Sequence, residues 1–187
     1  MARNRVMGVN GKLPWNLPAD RKHFVDITRD KVLIMGRLTY EEEQSKSHIS
    51  HAEYNIVVST TLEPSSEPNL KIAHSFPEAL HLAKLYSATD ICNPSPETLD
   101  CWIIGGERIY DEALKHPSAQ ELHLTVVDTD IDTAEYGSTN TKVAMFPAKY
   151  RWDRKFDEIS RSNHESIDCD GNTLKYTHVL YRPKRLP

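Results

Sequence analysis

The chain has 187 residues, of which 39% are hydrophobic and 27% charged, with a formal net charge of −4. That length suits one domain with a sizeable core, and the balance is that of an ordinary soluble globular protein. No apolar run approaches membrane-spanning length, the opening MARNRVMG lacks the apolar core of a signal peptide, and the mild acidity gives no footprint for nucleic acid.

The expected compartment is therefore the cytoplasm. Cys92, Cys101 and Cys169 show no CxxC spacing and read as free thiols, and the nine histidines show no metal-ligand spacing, so no metal is expected.

In chain order, ARNRVMGVNGKLPW reads as a loop in which Gly8 and Gly11 loosen the backbone; a mobile loop beside a site can act as a lid. LPWNLPAD, residues 13–20, leads into a helix over RKHFVDITRD, with Pro18 in the first turn, where its missing N–H costs nothing. Asp20 lies near the positive end of that helix. It also shares a face with Phe24 and Ile27, at i, i+4 and i+7, that is expected to turn inward. An acid on a buried face must be paired, protonated or used. Spacing alone leaves open whether Asp20 merely decorates a helix start or belongs to a site.

Residues 31–35, KVLIM, read as a buried strand ended by Gly36, after which LTYEEEQ restarts as a helix with Thr39 and Glu42 at capping-box spacing. Residues 45–53 are polar loop, 54–59 a second buried strand, 63–69 a loop holding Pro64 and Pro68, and 70–74 a short strand. A helix is expected over 77–86, and the turn-rich stretch 88–99 reads as an insertion. Residues 101–104 form a third buried strand, broken by Gly105 and Gly106 before a helix over ERIYDEALKH. Residues 121–127 alternate as a strand and 136–143 read as loop. Two last strands, 152–161 and 174–182, join around Asp170-Gly171-Asn172, and YRPKRLP reads as a solvated basic tail. Helices alternating with strands early and paired strands late predict an α/β sheet, mostly parallel with an antiparallel edge, in one domain.

Two strand-glycine-helix turns could receive phosphate, because free N–H groups and the helix dipole converge there. In IMGRLT, Arg37 adds a forked cation and Thr39 a hydroxyl; in IIGGER, paired glycines let the backbone come close to a pyrophosphate or a flat ring. Neither matches GxGxxG, and either alone reads equally as a plain turn.

MGVNGKLPWNLPAD, VLIMGRLTYE and WIIGGERIY occur in this order, and through them the chain resembles dihydrofolate reductase from about Ala2 to Tyr181. The resemblance implies a three-layer fold, with a central mixed, mostly parallel sheet, helices on both faces and a C-terminal antiparallel hairpin. It also implies hydride transfer from NADPH to a C=N bond of dihydrofolate, with a proton added at the neighbouring nitrogen, by a cytoplasmic monomer that supplies one-carbon metabolism.

Carried over residue by residue, Asp20 holds the acid position, Thr125 supports its hydrogen-bond network and Trp15 walls the site. Thr125 could equally be a β-branched strand residue, and Trp15 a half-buried aromatic. Leu13, Leu17 and Phe24 would line the substrate pocket. Arg37, Leu38 and Thr39 match one cofactor turn, Ser59 and Thr60 the adenosine end, and Gly105, Gly106, Arg108 and Ile109 the second turn. Gly8 would also face the cofactor, and Ile104 and Tyr110 would flank the nicotinamide. Leu38 departs from the polar or basic residue often found there, which shifts the preference for NADPH onto Arg37 and Thr60.

Two larger departures stand out. The family has a buried strand before the loop that begins here near Ala2, in the middle of the sheet; without it, its two neighbours would expose unpaired backbone groups. A fragment, or a diverged protein that fills the slot otherwise, is expected. Secondly, Glu53 stands where an arginine would grip the substrate's glutamate tail, with His48, His51 or Lys46 as conceivable substitutes. A reductase of a smaller heterocycle, of the riboflavin-synthesis pyrimidine reductase type, and a non-catalytic NADPH-binding remnant remain open beside the leading reading.

Overall fold

A computed structural model describes residues 1–44, 49–88, 100–136, 141–148, 152–168 and 171–184. The elements run β1 (Val6–Val9), α1 (Pro18–Thr28), β2 (Val32–Gly36), α2 (Arg37–Gln44), β3 (Tyr54–Val58), β4 (Leu70–Ala73), α3 (Phe76–Ala88), β5 (Cys101–Gly105) and α4 (Glu107–Ala113). They continue with β6 (Leu122–Val127), a 3-10 turn at Thr133–Tyr136, β7 (Val143–Met145), α5 (Trp152–Lys155), β8 (Phe156–Ile167) and β9 (Thr173–Pro183). No helix among the described residues is long and apolar enough to cross a membrane. The chain divides into two compact units, residues 23–112 and residues 1–22 with 113–187, and the division falls within α1.

In the unit of residues 23–112, four parallel strands run in the order β4-β3-β2-β5. VLIM of β2 is fully buried, as a continuous apolar run between two neighbours should be. Leu33 and Met35 of β2, Tyr40 of α2, Val57 of β3 and Leu70 of β4 build the core, with Trp102 and Ile104 packed against it. The expectation of three buried strands needs correction at β5. It is an edge of this sheet, with Cys101 exposed and Trp102, Ile103 and Ile104 only half-buried. Nor is Thr39 a cap: α2 starts at Arg37, directly after Gly36, so Thr39 lies inside the helix.

In the other unit, β6-β9-β8 form an antiparallel sheet. The hairpin expected at the C-terminus is present, but β8 starts at Phe156, and residues 152–155 form a helical turn rather than strand. Gly171, at φ +83°, closes the connection, and the Asp168 carboxylate accepts from the Asn172 backbone N–H at 2.8 Å. Asp170, the rest of the insertion from residue 89, Cys92, Cys169 and the last three residues of the basic tail lie outside the described residues.

The opening stretch is no loop. Val6–Val9 pairs antiparallel with Val143–Met145, a segment whose first residue was read as the end of a loop. Val9 and Lys12 exchange backbone hydrogen bonds at 2.9 and 3.1 Å across Asn10 (φ +51°) and Gly11 (φ +79°). Two positive φ values in a two-residue Asn-Gly connection make this a type I′ turn. Residues 1–3 run along β6: Ala2 is wholly buried and bridges Val127 in parallel, while Val127 N–H donates to Met1 O and Arg3 N–H to Thr129 O, both at 2.9 Å.

Candidate active site

Asp20 is the third residue of α1, whose first hydrogen bond runs from Arg21 N–H to Leu17 O at 3.0 Å. Its carboxylate does more than complement the helix dipole. Thr125 Oγ1, on β6, donates to Asp20 Oδ1 at 2.6 Å, and His178 Nε2, on β9, lies 3.0 Å from the same oxygen. The sheet causes this convergence, because Thr125 and His178 are register partners in adjacent antiparallel strands. The Asp20 side chain is 24% exposed, so it keeps a window on solvent.

An apolar cluster that includes Tyr176, in ring contact with His178, lies beside this centre. Leu17, 3% exposed, packs with Val127 and Tyr176, and Trp15 covers both that cluster and the neighbouring one of Ala2, Val6 and Val9. Leu13 is 42% exposed and contributes little cover. In the unit of residues 23–112, Phe24 is half-buried, edge-on to the His51 ring at 5.8 Å. Gly8 sits in β1, where a Cβ would stand 3.3 Å from Lys12 O.

The other candidate residues gather at one end of the parallel sheet. Parallel strands carry the turns after β2, β3 and β5 to the same end, where α/β proteins bind ligands. Met35 pairs with Gly105, so the Gly36 and Gly105-Gly106 turns lie side by side. A Cβ on Gly36 would meet Ile109 Cγ1 at 3.3 Å, and one on Gly106 would meet Thr39 Oγ1 at 3.3 Å. Gly105 has φ +133°, a conformation closed to side chains, and the Gly105-Gly106 peptide is cis. Bare backbone thus leaves a cradle between Thr39 and Tyr110. Burial, aided by the negative charge of Glu43, pushes the Tyr110 phenol up to about 12, so it remains a hydroxyl donor throughout the physiological range.

Around that cradle, Arg37 pairs with Glu41 at 2.7 Å on the helix surface, and Leu38 is 60% exposed. Arg108 is exposed and reaches Glu112 at 3.4 Å. Ile109 is buried and Ile104 half-buried. Thr60 is exposed, whereas the buried Ser59 hydroxyl accepts from Thr61 N–H and Leu62 N–H at 3.2 and 3.1 Å, which commits it to shaping its own turn.

Glu53 is exposed, beside Ala52, Tyr54, Pro68 and Asn69 in a shallow depression. Of the conceivable substitutes for the expected arginine, Lys46 and His48 fall outside the described residues. Thr28 Oγ1 gives its proton to Phe24 O at 2.6 Å, so His51 Nε2–H is the donor in the 2.7 Å contact to Thr28 Oγ1. Among the described residues no cluster of three or more His, Cys, Asp or Glu side chains could hold a metal ion.

The sequence reading missed His178. Tyr176, His178 and Leu180 alternate onto one face of β9, so the pattern was visible, but nothing local shows that this face lies beside Thr125.

An acid bonded to a strand hydroxyl on one unit, and two abutting glycine turns at a parallel sheet end on the other, agree with what similarity shows. The profile of dihydrofolate reductase matches residues 1–182. The chain belongs to the dihydrofolate reductase family. The parallel sheet, its helices and the C-terminal antiparallel hairpin are those of the dihydrofolate reductase fold. The type 3 dihydrofolate reductase of Salmonella typhimurium is 35% identical over 178 residues, covering 94% of this chain and 91% of that one. The dihydrofolate reductase of Bacillus subtilis (strain 168) is 29% identical over 190 residues, with 98% and 91% covered. The bifunctional dihydrofolate reductase-thymidylate synthase 2 of Arabidopsis thaliana is 33% identical over 144 residues, covering 71% of this chain and 24% of that protein. The match thus spans about a quarter of the length of the bifunctional Arabidopsis relatives.

Proposed function

We propose that this chain reduces 7,8-dihydrofolate to 5,6,7,8-tetrahydrofolate with NADPH and so supplies one-carbon metabolism, acting as a single-domain cytoplasmic monomer. The observation that carries this reading is the Asp20 carboxylate, anchored by Thr125 Oγ1 at 2.6 Å and walled by Trp15 and Leu17. A dihydropterin presents an amino group and a ring N–H as parallel donors, and an acidic acceptor in a largely apolar setting suits them. Asp20 holds and orients that ring. Thr125 fixes the carboxylate, while Trp15 and Leu17 exclude water.

The cradle of Gly36, Gly105 and Gly106 fits a dinucleotide, since a Cβ at Gly36 or Gly106 would fill it. Arg37, Leu38, Thr39, Thr60, Arg108 and Ile109 would hold the phosphates and adenosine, with Ile104 and Tyr110 toward the nicotinamide. NADPH, when bound, supplies the hydride. The protein contributes alignment and desolvation, which can account for much of the rate.

A second reading rests on Glu53, an exposed anion where a guanidinium would clasp a glutamate tail. It favours a smaller heterocycle without that tail. Following NADPH oxidation with dihydrofolate and with a tail-less dihydropterin in parallel separates the two. Turnover of dihydrofolate at a lower KM than the dihydropterin supports the first, and the reverse order supports the second. NADPH binding with no turnover of either defeats both and identifies a binding remnant.

A further inference from the structure

Asp20 Oδ1 accepts two hydrogen bonds, and only one of them, from Thr125, follows from the family resemblance. The second comes from a histidine. His178 Nε2 lies 3.0 Å from Oδ1, with the two side chains 18% and 24% exposed. A carboxylate oxygen can only accept, so this ring nitrogen must carry the proton. The ring is held in place by aromatic neighbours: His164 of β8 lies 4.6 Å away, tilted by 45°, and Tyr176 of β9 lies 5.2 Å away, tilted by 58°. With both lone-pair sites of Oδ1 engaged, the rotation of the carboxylate is fixed. Among the described residues Oδ2 has no hydrogen bond, which leaves it as the open acceptor.

We propose that His178 is a positioning residue of the Asp20 centre: its Nε2–H and the Thr125 hydroxyl clamp Oδ1 from two adjacent strands, so that Oδ2 is presented to the substrate in one orientation. This inference rests on the reading of Asp20 as the substrate acceptor. The clamp differs from a simple helix-dipole pairing because both donors come from a rigid sheet, and a geometry held on strands is more exact than one held on a loop. His178 acts through Asp20 and does not itself meet the substrate.

The test uses the full chain. His178→Phe keeps a ring against His164 and Tyr176 but removes the donor, whereas His178→Gln keeps a donor. Loss of a hydrogen bond to a charged group predicts that His178→Phe raises KM for dihydrofolate about tenfold while kcat changes less than about threefold. His178→Gln should remain within about threefold of the parent in both, at the lower end of a hydrogen bond's worth. In an Asp20→Asn background the His178→Phe effect should vanish, since positioning requires the carboxylate.

Equal losses in the Phe and Gln variants, a parent-like His178→Phe enzyme, or an undiminished effect beside Asp20→Asn each overturn the proposal. A readout free of activity separates it from the proposed function. The 15N shifts of the ligand-free protein, with the His178 signal identified by its loss in His178→Phe, show which ring nitrogen is protonated. A protonated Nε2 that responds to Asp20→Ala supports the clamp even in a chain that turns over no dihydrofolate, and a bare Nε2 defeats it.

Discussion

Asp20 and Thr125 stand 105 residues apart in sequence and share a 2.6 Å hydrogen bond that ties the first turn of α1 to β6. If this carboxylate orients the substrate ring, its charge matters most when the ring arrives neutral. Asp20→Asn should lower kcat with dihydrofolate roughly 10²-fold at pH 7, within the range for a positioned acid-base group. At pH 5, where more of the substrate arrives protonated, the loss should shrink to about tenfold or less. Steady-state rates from pH 5 to 8 measure this, and a loss that stays constant with pH counts against the role.

The type I′ turn at Asn10-Gly11 gives a test of fold rather than chemistry. Gly11 has φ +79°, and a Cβ there would meet nothing within 4 Å, so any penalty for a side chain is purely one of backbone conformation. Gly11→Ala should cost about 1 kcal/mol of unfolding free energy, and Gly11→Asn roughly half that, because asparagine tolerates left-handed backbone. Urea unfolding of the three proteins reads this directly; equal stabilities would show that the hairpin frays before the rest of the chain unfolds.

Gly106 tests the cradle. A Cβ there would stand 3.3 Å from Thr39 Oγ1, so Thr39 must give way and the space for a ligand shrinks. Gly106→Ala should weaken NADPH binding about tenfold, equivalent to roughly 1.4 kcal/mol. Its unfolding free energy should change by about 1 kcal/mol or less, because Gly106 has no positive φ to strain. Quenching of protein fluorescence by NADPH measures the first effect and urea unfolding the second.

How much of this was legible in the sequence depended on whether the signal was local. The buried strand VLIM and the helix after Pro18 each carry their own pattern, and both are present as β2 and α1. The glycine turns are visible as strand-stop-helix punctuation, but their adjacency comes from the pairing of β2 with β5, which no local pattern shows. His178 was not found, because its meaning lies in the pairing of β9 with β6, which sets it opposite Thr125, 53 residues earlier in the chain. Cys101–Gly105 misled for a related reason: an apolar run looks the same in a central strand and in an edge strand, and only sheet order separates them. Val6–Val9 reads as loop because Gly8 interrupts its short apolar run, although the Asn10-Gly11 turn signal stands beside it.

The Tyr110 phenol offers a prediction at alkaline pH. Burial, with Glu43 adding repulsion, raises it from 10.0 to about 12, because the phenolate is poorly accommodated where the phenol lies. In the unfolded chain this group loses its proton near pH 10 while the folded protein retains it, so the unfolded state binds fewer protons and stability must fall as pH rises through that window. The contribution is intact below pH 10 and is lost progressively toward 12. Tyr110→Phe removes the titrating group but keeps the ring. From pH 9 to 12 the variant should therefore gain about 2 kcal/mol relative to the parent, with the other raised tyrosines contributing equally to both proteins. Urea unfolding at stepped pH values measures the difference; a constant gap between the two proteins across this range would mean that the phenol ionises as freely in the folded chain as in the unfolded one.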